Sequence, residues 1–385
     1  MHIFAILRLL IFSGAAACSI WLTAAECSFR ADTPASIAQA AHAGNPKYHV
    51  RLAEKDEQNR IALLREAVRE NPHSAALWIE LGLALERDDP KAAKEALEAA
   101  FASSRQYLPA WTLANFAFRH GDEATFWRAA RQASSMAYDH RQPLIELADR
   151  MEPDPGITLS RMEADAPLER DYLDFLIGEG DLDRAVTVAR RMMRRPASPG
   201  SPDGTRLAAF TDHLLEARRP REAEEIWRRV HGPASENGSL TNGDLLQRPT
   251  SIGFDWKMTG AAGVEMKWKP GEIRFDLSGG EPEACALFEQ WVLPHGRKHR
   301  LSFDYILRAG AEAGGLRWSW NPSTGGESPI SASFKQTSDW NTMQWNFTTA
   351  AMESGRLRLV YKREPGEPRL AGTLMLRHLR LEKVL

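Results

Sequence analysis

The chain has 385 residues, 43% of them hydrophobic and 26% charged, values ordinary for globular protein and enough for two cores. A formal net charge of -2 and an isoelectric point near 6.6 offer no field for nucleic acid, and the basic runs Arg190-Arg191, Arg194-Arg195 and Arg218-Arg219 lie beside acidic neighbours. Cys18, Cys27 and Cys285 form no CxxC pair, so neither a zinc site nor a disulfide framework is indicated; a single Cys27–Cys285 bridge stays open.

Met1 to Arg8 is short with one basic residue, and Leu9 to Ala25 then runs 17 residues without a charge. A spanning helix needs about 20 residues and the apolar core of a signal peptide is shorter, so segment 1–25 is either a signal peptide or a membrane anchor. Ala15-Ala16-Ala17 before Cys18 resembles a bacterial lipoprotein box, while Thr23-Ala24-Ala25 before Glu26 suits ordinary signal peptidase. Ordinary export or anchoring ranks ahead of lipidation at Cys18. In either case the remainder is expected in the cell envelope, on the periplasmic side of the inner membrane, anchored or released.

Residues 26–45 read as a linker, and from 46 to 231 the apolar spacing is helical. Asn59 to Glu70 forms a helix that ends at Asn71-Pro72. Trp78-x2-Leu81-Gly82-x2-Leu85 reappears 33 residues later as Trp111-x2-Ala114-Asn115-x2-Phe118. A breaker follows each copy, Asp89-Pro90 or Gly121-Asp122, and then an alanine-rich second helix. Small residues let paired helices approach and bulky ones fill the space between pairs, so Trp78 and Trp111 are expected to be largely buried. The pattern resembles the tetratricopeptide repeat (TPR), whose first helix carries W-x2-L-G-x2-Y and whose second carries spaced alanines. Asn115 replaces the preferred Gly, and Leu85 and Phe118 replace the Tyr. The resemblance implies an α-solenoid that binds a protein partner through its concave face. Pro143 to Met151 continues the register, Pro153-Asp154-Pro155-Gly156 interrupts it, and two further hairpins turn at Glu179-Gly180-Asp181 and Arg219-Pro220.

Residues 232–243 have a linker composition, and beyond them the periodicity changes from 3.6 to 2. One face reads Val264/Met266/Trp268, Ile273/Phe275/Leu277, Leu301/Phe303/Tyr305/Leu307, Leu316/Trp318/Trp320, Ile330/Ala332/Phe334, Met343/Trp345/Phe347, Leu357/Leu359/Tyr361 and Leu374/Leu376. These predict eight or more short strands in an antiparallel β-sandwich over 244–385. The phase slips between Leu376 and Leu379, where a bulge would turn Leu379 and Leu381 inward. Thr241-Asn242-Gly243-Asp244-Leu245, Gly253-Phe254-Asp255-Trp256, Glu289-Gln290-Trp291-Val292-Leu293-Pro294 and Leu301-Ser302-Phe303-Asp304-Tyr305 resemble landmarks of carbohydrate-binding jelly rolls with a galactose-binding-like sandwich. That resemblance implies glycan binding. The acid that often holds a structural calcium on the last strand of such domains is replaced by Arg377-His378.

No serine elbow, Walker loop or His-Glu-x-x-His is present, and no cofactor or metal is expected. His295 and His299 fall beside Pro294 and Gly296 on a turn, where solvent exposure is expected rather than ligation. Seven of the twelve tryptophans lie at or beyond Trp256. Trp268, Trp318, Trp320 and Trp345 fall on the core-facing phase. Trp256, Trp291 and Trp340 are candidates for a sugar-stacking platform, with Gln290 and Arg317 to hydrogen-bond hydroxyls, because flat rings suit the apolar face of a pyranose. A glycosidase needs two carboxylates about 5–10 Å apart, and Asp255, Glu289 and Asp304 form no such motif. The chain therefore reads as a non-enzymatic envelope scaffold, an α-solenoid followed by a jelly roll, similar to bacterial repeat proteins of surface or exopolysaccharide assembly. An accessory or glycoside-active enzyme is the alternative.

Overall fold

The computed structural model describes residues 46–384, apart from 138–140, 233–239, 295, 311–313, 327 and 351–352, together with positions 15, 16, 19, 20 and 23. The expectations for the N-terminal segment, the 26–45 linker, Cys18, Cys27, His295 and most of the 232–243 linker lie outside the described residues. No helix among the described residues is long and apolar enough to cross a membrane. The chain divides into two compact units, Met1–Asp171 and Tyr172–Leu385.

The first unit holds helices α1 (Pro46–Lys55), α2 (Arg60–Glu70), α3 (Ala75–Leu85), α4 (Pro90–Ser103), α5 (Tyr107–Arg119), α6 (Glu123–Met136), α7 (Gln142–Met151) and α8 (Pro155–Arg161). Helix α9 (Ala166–Gly178) contains the division between units. The helices pair as antiparallel hairpins, and small residues set their separation. A Cβ on Gly82 would stand 2.6 Å from Leu97 Cγ, so only glycine allows α3 this close to α4. Ala93, Ala96, Ala114, Ala129 and Ala130 are likewise buried. The breakers work as caps. Asp89 accepts from Ala92 N at 3.0 Å and Asp122 from Thr125 N at 3.1 Å. Gly121 takes φ +67, and Asp122 N–H closes back on Ala117 O at 2.9 Å, a Schellman turn.

Leu81, Gly82 and Ala114 are buried as the repeat pattern requires, while Trp78, Trp111 and Phe118 are partly exposed. The Trp78 indole N–H donates to Pro72 O at 2.8 Å, and Trp111 stacks on Tyr107 at 5.9 Å.

The second unit holds α10 (Leu182–Met192), α11 (Pro202–Glu216) and α12 (Pro220–His231), then, among the described residues, nine strands: β1 (Lys257–Met258), β2 (Val264–Lys269), β3 (Glu272–Ser278), β4 (Ala284–Val292), β5 (Lys298–Ala309), β6 (Leu316–Pro322), β7 (Asn341–Thr348), β8 (Gly355–Lys362) and β9 (Ala371–Lys383). They build two antiparallel sheets, sheet I in the order β1-β4-β8-β6 and sheet II in the order β2-β3-β9-β5-β7. Their inner faces share one core around Phe275, Phe288, Phe303, Trp318, Trp320 and Leu359. The bulge expected in β9 is present. Pairing with β5 shifts between Ser302 and Asp304, His378 takes φ +51, and Leu379 and Leu381 turn inward.

Two expectations for this unit need correction, and one strand is not legible in the pattern. Residues 330–334 form no regular strand; they run beside β6 through a bridge from Ser319 to Ile330 and a bond from Ser331 N to Trp318 O at 2.8 Å. Strand β4 was hidden from the pattern because a bulge between Ala286 and Phe288 breaks its alternation, and because Glu289 and Trp291 on its outer side are buried as well. His299, expected on an exposed turn, lies on β5 and is buried, with Nε2 at 3.1 Å from the Thr349 hydroxyl; burial pushes its pKa down.

Candidate functional site

Alternation on β4, β6 and β8 sends one set of side chains into the core and the other to the outer face of sheet I. Register then places the outer set in rows across the sheet. Trp291, Arg356 and Asn321 form one row. Lys257, Glu289, Arg358 and Ser319 form the next, and Ala286, Val360 and Arg317 the one after. Two leucines in Gly355-Arg356-Leu357-Arg358-Leu359 point inward, so the two arginines between them must point out.

The rows are joined by charge. Glu289 is 7% exposed and takes both arginines, Arg356 Nη1 at 3.3 Å and Arg358 Nε at 2.9 Å. A carboxylate this deep requires such partners to offset its lost hydration. The Arg356 guanidinium also lies 4.7 Å from the centre of the Trp291 ring, within cation–π range. Trp291 is therefore only 8% exposed, and it forms the floor of the site beneath the arginine. At the sides, Lys257 pairs with Asp212 at 2.7 Å and Arg317 with Glu364 at 3.0 Å. Ser319 donates to Asn321 at 3.0 Å. The face is thus an aromatic floor under fixed, fork-shaped donors and a buried acceptor.

The five residues proposed from sequence do not form one platform. Trp256 is fully buried and stacks on Phe288 at 4.4 Å, and its indole N–H donates to Asn242 O at 3.2 Å. Gln290 is also fully buried, and its amide donates to Thr241 O at 2.7 Å. Both belong to the core, because they share the inward phase with their partners. Trp291 and Arg317 do reach the outer face of sheet I. Trp340 stands apart, beside sheet II, where Arg377 covers it at 4.0 Å. The motifs that suggested a sugar site are mostly structural. Gly243 meets β9 so closely that a Cβ would stand 2.3 Å from Leu379 O, and Gly253 presses on Thr211 and Trp227. Asp255 accepts from Thr250 N at 2.7 Å and Trp256 N at 2.8 Å, which folds its own loop.

Sequence reasoning overlooked Arg356 and Arg358, although the Arg-Leu-Arg-Leu alternation signals them, and undervalued Glu289, whose partners lie on another strand. Asp304 lies outward on sheet II and bonds Thr342 at 2.7 Å, His378 at 2.9 Å and Arg377 at 3.3 Å. Burial alone would raise its carboxyl, but these bonds hold it below its ordinary value. Glu289 and Asp304 therefore face outward from opposite sheets, and Asp255 is spent on its loop, so no two of the three share a face.

The helical unit carries a separate feature. A cleft of about 690 Å³ opens between α2 and α4, with Trp78, Leu81 and Leu85 of α3 at its base. One repeat later larger side chains stand at two of the equivalent positions. Phe101 replaces Val68 and Phe118 replaces Leu85, while Arg128 lies 5.0 Å over the Phe101 ring and pairs with Glu98.

No protein-family model matches the chain, and no curated protein matches it. Among solved structures, similarity is found to the enzymatically active domain of bacteriophage CBA120 tailspike protein 4, at 12% identity and a TM-score of 0.29, covering 38% of this chain and only 22% of that one. The TmCBM61 module in complex with beta-1,4-galactotriose is similar at 16% identity and a TM-score of 0.26, covering 39% of this chain and all of that one. The CBM22-1 xylan-binding domain of Paenibacillus barcinonensis Xyn10C is similar at 12% identity and a TM-score of 0.26, covering 36% and 90%. Likeness this low carries no argument about binding or activity, and the two-sheet architecture rests on the strand ladders themselves.

Proposed function

We propose that the β-sandwich is a saccharide-binding module, acting at the outer face of sheet I on an exported scaffold protein of the cell envelope. The observation that supports this most is the row Trp291–Arg356–Asn321 beside the row Glu289–Arg358–Ser319. Saccharide sites need flat apolar surface for ring C–H groups and convergent donors and acceptors for hydroxyls, fixed before the ligand arrives. Glu289 holds both guanidiniums in place, and Trp291, itself only 8% exposed, backs Arg356 from beneath.

In this reading the helical array is a TPR-like solenoid that holds a protein partner on its concave face. The stripe on α3 opposite Trp78 and Leu85 supports it, since Leu83 is 43% exposed there. Beside it Glu86 takes Arg119 of the next repeat in a bidentate pair at 2.8 Å. The scaffold would then bring a bound protein to polysaccharide, as surface or exopolysaccharide assembly requires.

The test is affinity electrophoresis of the full chain through gels containing xylan, β-1,4-galactan, polygalacturonate or alginate. At least one polymer should retard it, and Trp291→Ala and Arg358→Ala should abolish the retardation without changing the near-UV circular dichroism of the core. Free migration in every gel would refute the saccharide reading.

A further inference from the structure

We infer that the saccharide bound at sheet I carries carboxylate groups, as a uronate does; this rests on the saccharide-binding reading above and narrows it to a ligand class. The argument begins with charge. Lys257 and Arg317 each have a carboxylate of their own, Asp212 at 2.7 Å and Glu364 at 3.0 Å. Arg356 and Arg358 have only Glu289 between them, at 3.3 and 2.9 Å. Among the described residues this pair of arginines therefore keeps one positive charge without a carboxylate to match it.

Geometry says how that charge is presented. A guanidinium has five donors in a rigid fork. Arg356 brings Nη1 to 3.3 Å from Glu289 and stands 4.7 Å from the centre of the Trp291 ring, so two contacts hold the fork while part of it stays accessible. Its side chain is 38% exposed and that of Arg358 is 32% exposed, so ligand can reach both, whereas Glu289 at 9% is shielded. A fork held in one plane matches a planar carboxylate with two parallel bonds, each roughly twice as strong as a neutral one. A hydroxyl accepts only one such bond and uses none of the surplus charge. The chain as a whole is weakly acidic, with a net charge of -2, so general attraction to polyanions does not produce the same preference.

The experiment compares polygalacturonate and alginate with their carboxyl-reduced forms, using the full chain in affinity electrophoresis. At least one of the native polymers should bind about tenfold more tightly than its reduced form, which is the loss expected when a bidentate charged pair becomes a neutral contact. Arg356→Lys, which keeps the charge but not the fork, should lose most of that difference. Arg274→Gln on the outer side of sheet II should leave it unchanged. Equal binding of native and reduced forms, or binding of neutral xylan and galactan alone, would overturn the carboxylate inference while leaving the saccharide reading standing. Binding of no polymer would overturn both, and a full native-over-reduced difference in Arg356→Lys together with its loss in Arg274→Gln would reduce the effect to general charge.

Discussion

Gly82→Ala separates the repeat geometry from simple helix propensity. Alanine is worth about 1 kcal/mol over glycine in a helix interior, so propensity alone predicts a gain. The structure opposes it: the new methyl would stand 2.6 Å from Leu97 Cγ, 2.7 Å from Leu97 Cδ2 and 3.3 Å from Ala93 O. Leu97 is fully buried and has little room to turn away. Overpacking of this kind costs about 1–3 kcal/mol, so the net effect should be a loss of roughly 1 kcal/mol. Leu97→Ala should itself cost about 2–5 kcal/mol. In that background the obstruction is gone, and Gly82→Ala should become stabilising by nearly its full propensity of about 1 kcal/mol. The coupling between the two sites is then about 2 kcal/mol, measurable by a double-mutant cycle on the helical transition in urea, followed by far-UV circular dichroism. A stabilising Gly82→Ala in the wild-type background, or the same change in both, would show that α3 and α4 are not packed as described.

Three further outcomes are expected. Trp78→Ala should cost about 2 kcal/mol in thermal unfolding of the helical region, short of the 3–5 kcal/mol lost with a fully buried aromatic, because Trp78 is half-buried and holds one bond to Pro72. A larger loss would place its ring back in the core. Bonds from Lys94 at 2.6 Å and from Thr125 hold the Asp122 carboxyl at about 2. Its contribution is therefore complete above the unfolded value of about 3.9 and is lost as pH falls from there toward 2. Lys94→Met should raise the midpoint read from the Asp122 carboxyl resonance, and an unmoved midpoint would remove Lys94 from the account. Limited proteolysis should cut first within 232–243 on composition, yet the pieces should co-elute until denatured. Phe254 lies 6.1 Å from Trp227, and Lys257 bonds Asp212 at 2.7 Å. Early cleavage within Leu301–Leu307, or free separation of the pieces, would contradict that packing.

The order of helices and strands is legible because periodicity reports burial on one face. Val264 to Leu277 alternate cleanly, and the structure pairs them as β2 and β3. The phase slip at Leu376 likewise announces the bulge at His378. Legibility fails where a residue's fate depends on distant chain. Trp256 and Gln290 look available in sequence, but their burial is decided by Asn242, Thr241 and Phe288 from other segments. Glu289 looks like an ordinary outward acid until β8 lays two arginines beside it. Trp78 carries the repeat signature, yet the cleft it lines is shaped by Val68, Leu85 and Ala96 from other turns and helices.

The most direct measurement of the central claim is the indole N–H resonance of Trp291 as a binding polysaccharide is titrated in. A ligand on the outer face of sheet I must displace or engage Arg356, which lies 4.7 Å from the Trp291 ring. The Trp291 signal should therefore shift with the titration, together with the Nε resonances of Arg356 and Arg358, while the core residues Trp256 and Trp318 stay fixed. Shifts confined to Trp340 and Arg377 would place the site on the other sheet, and no shift at Trp291 under saturating ligand would contradict the account.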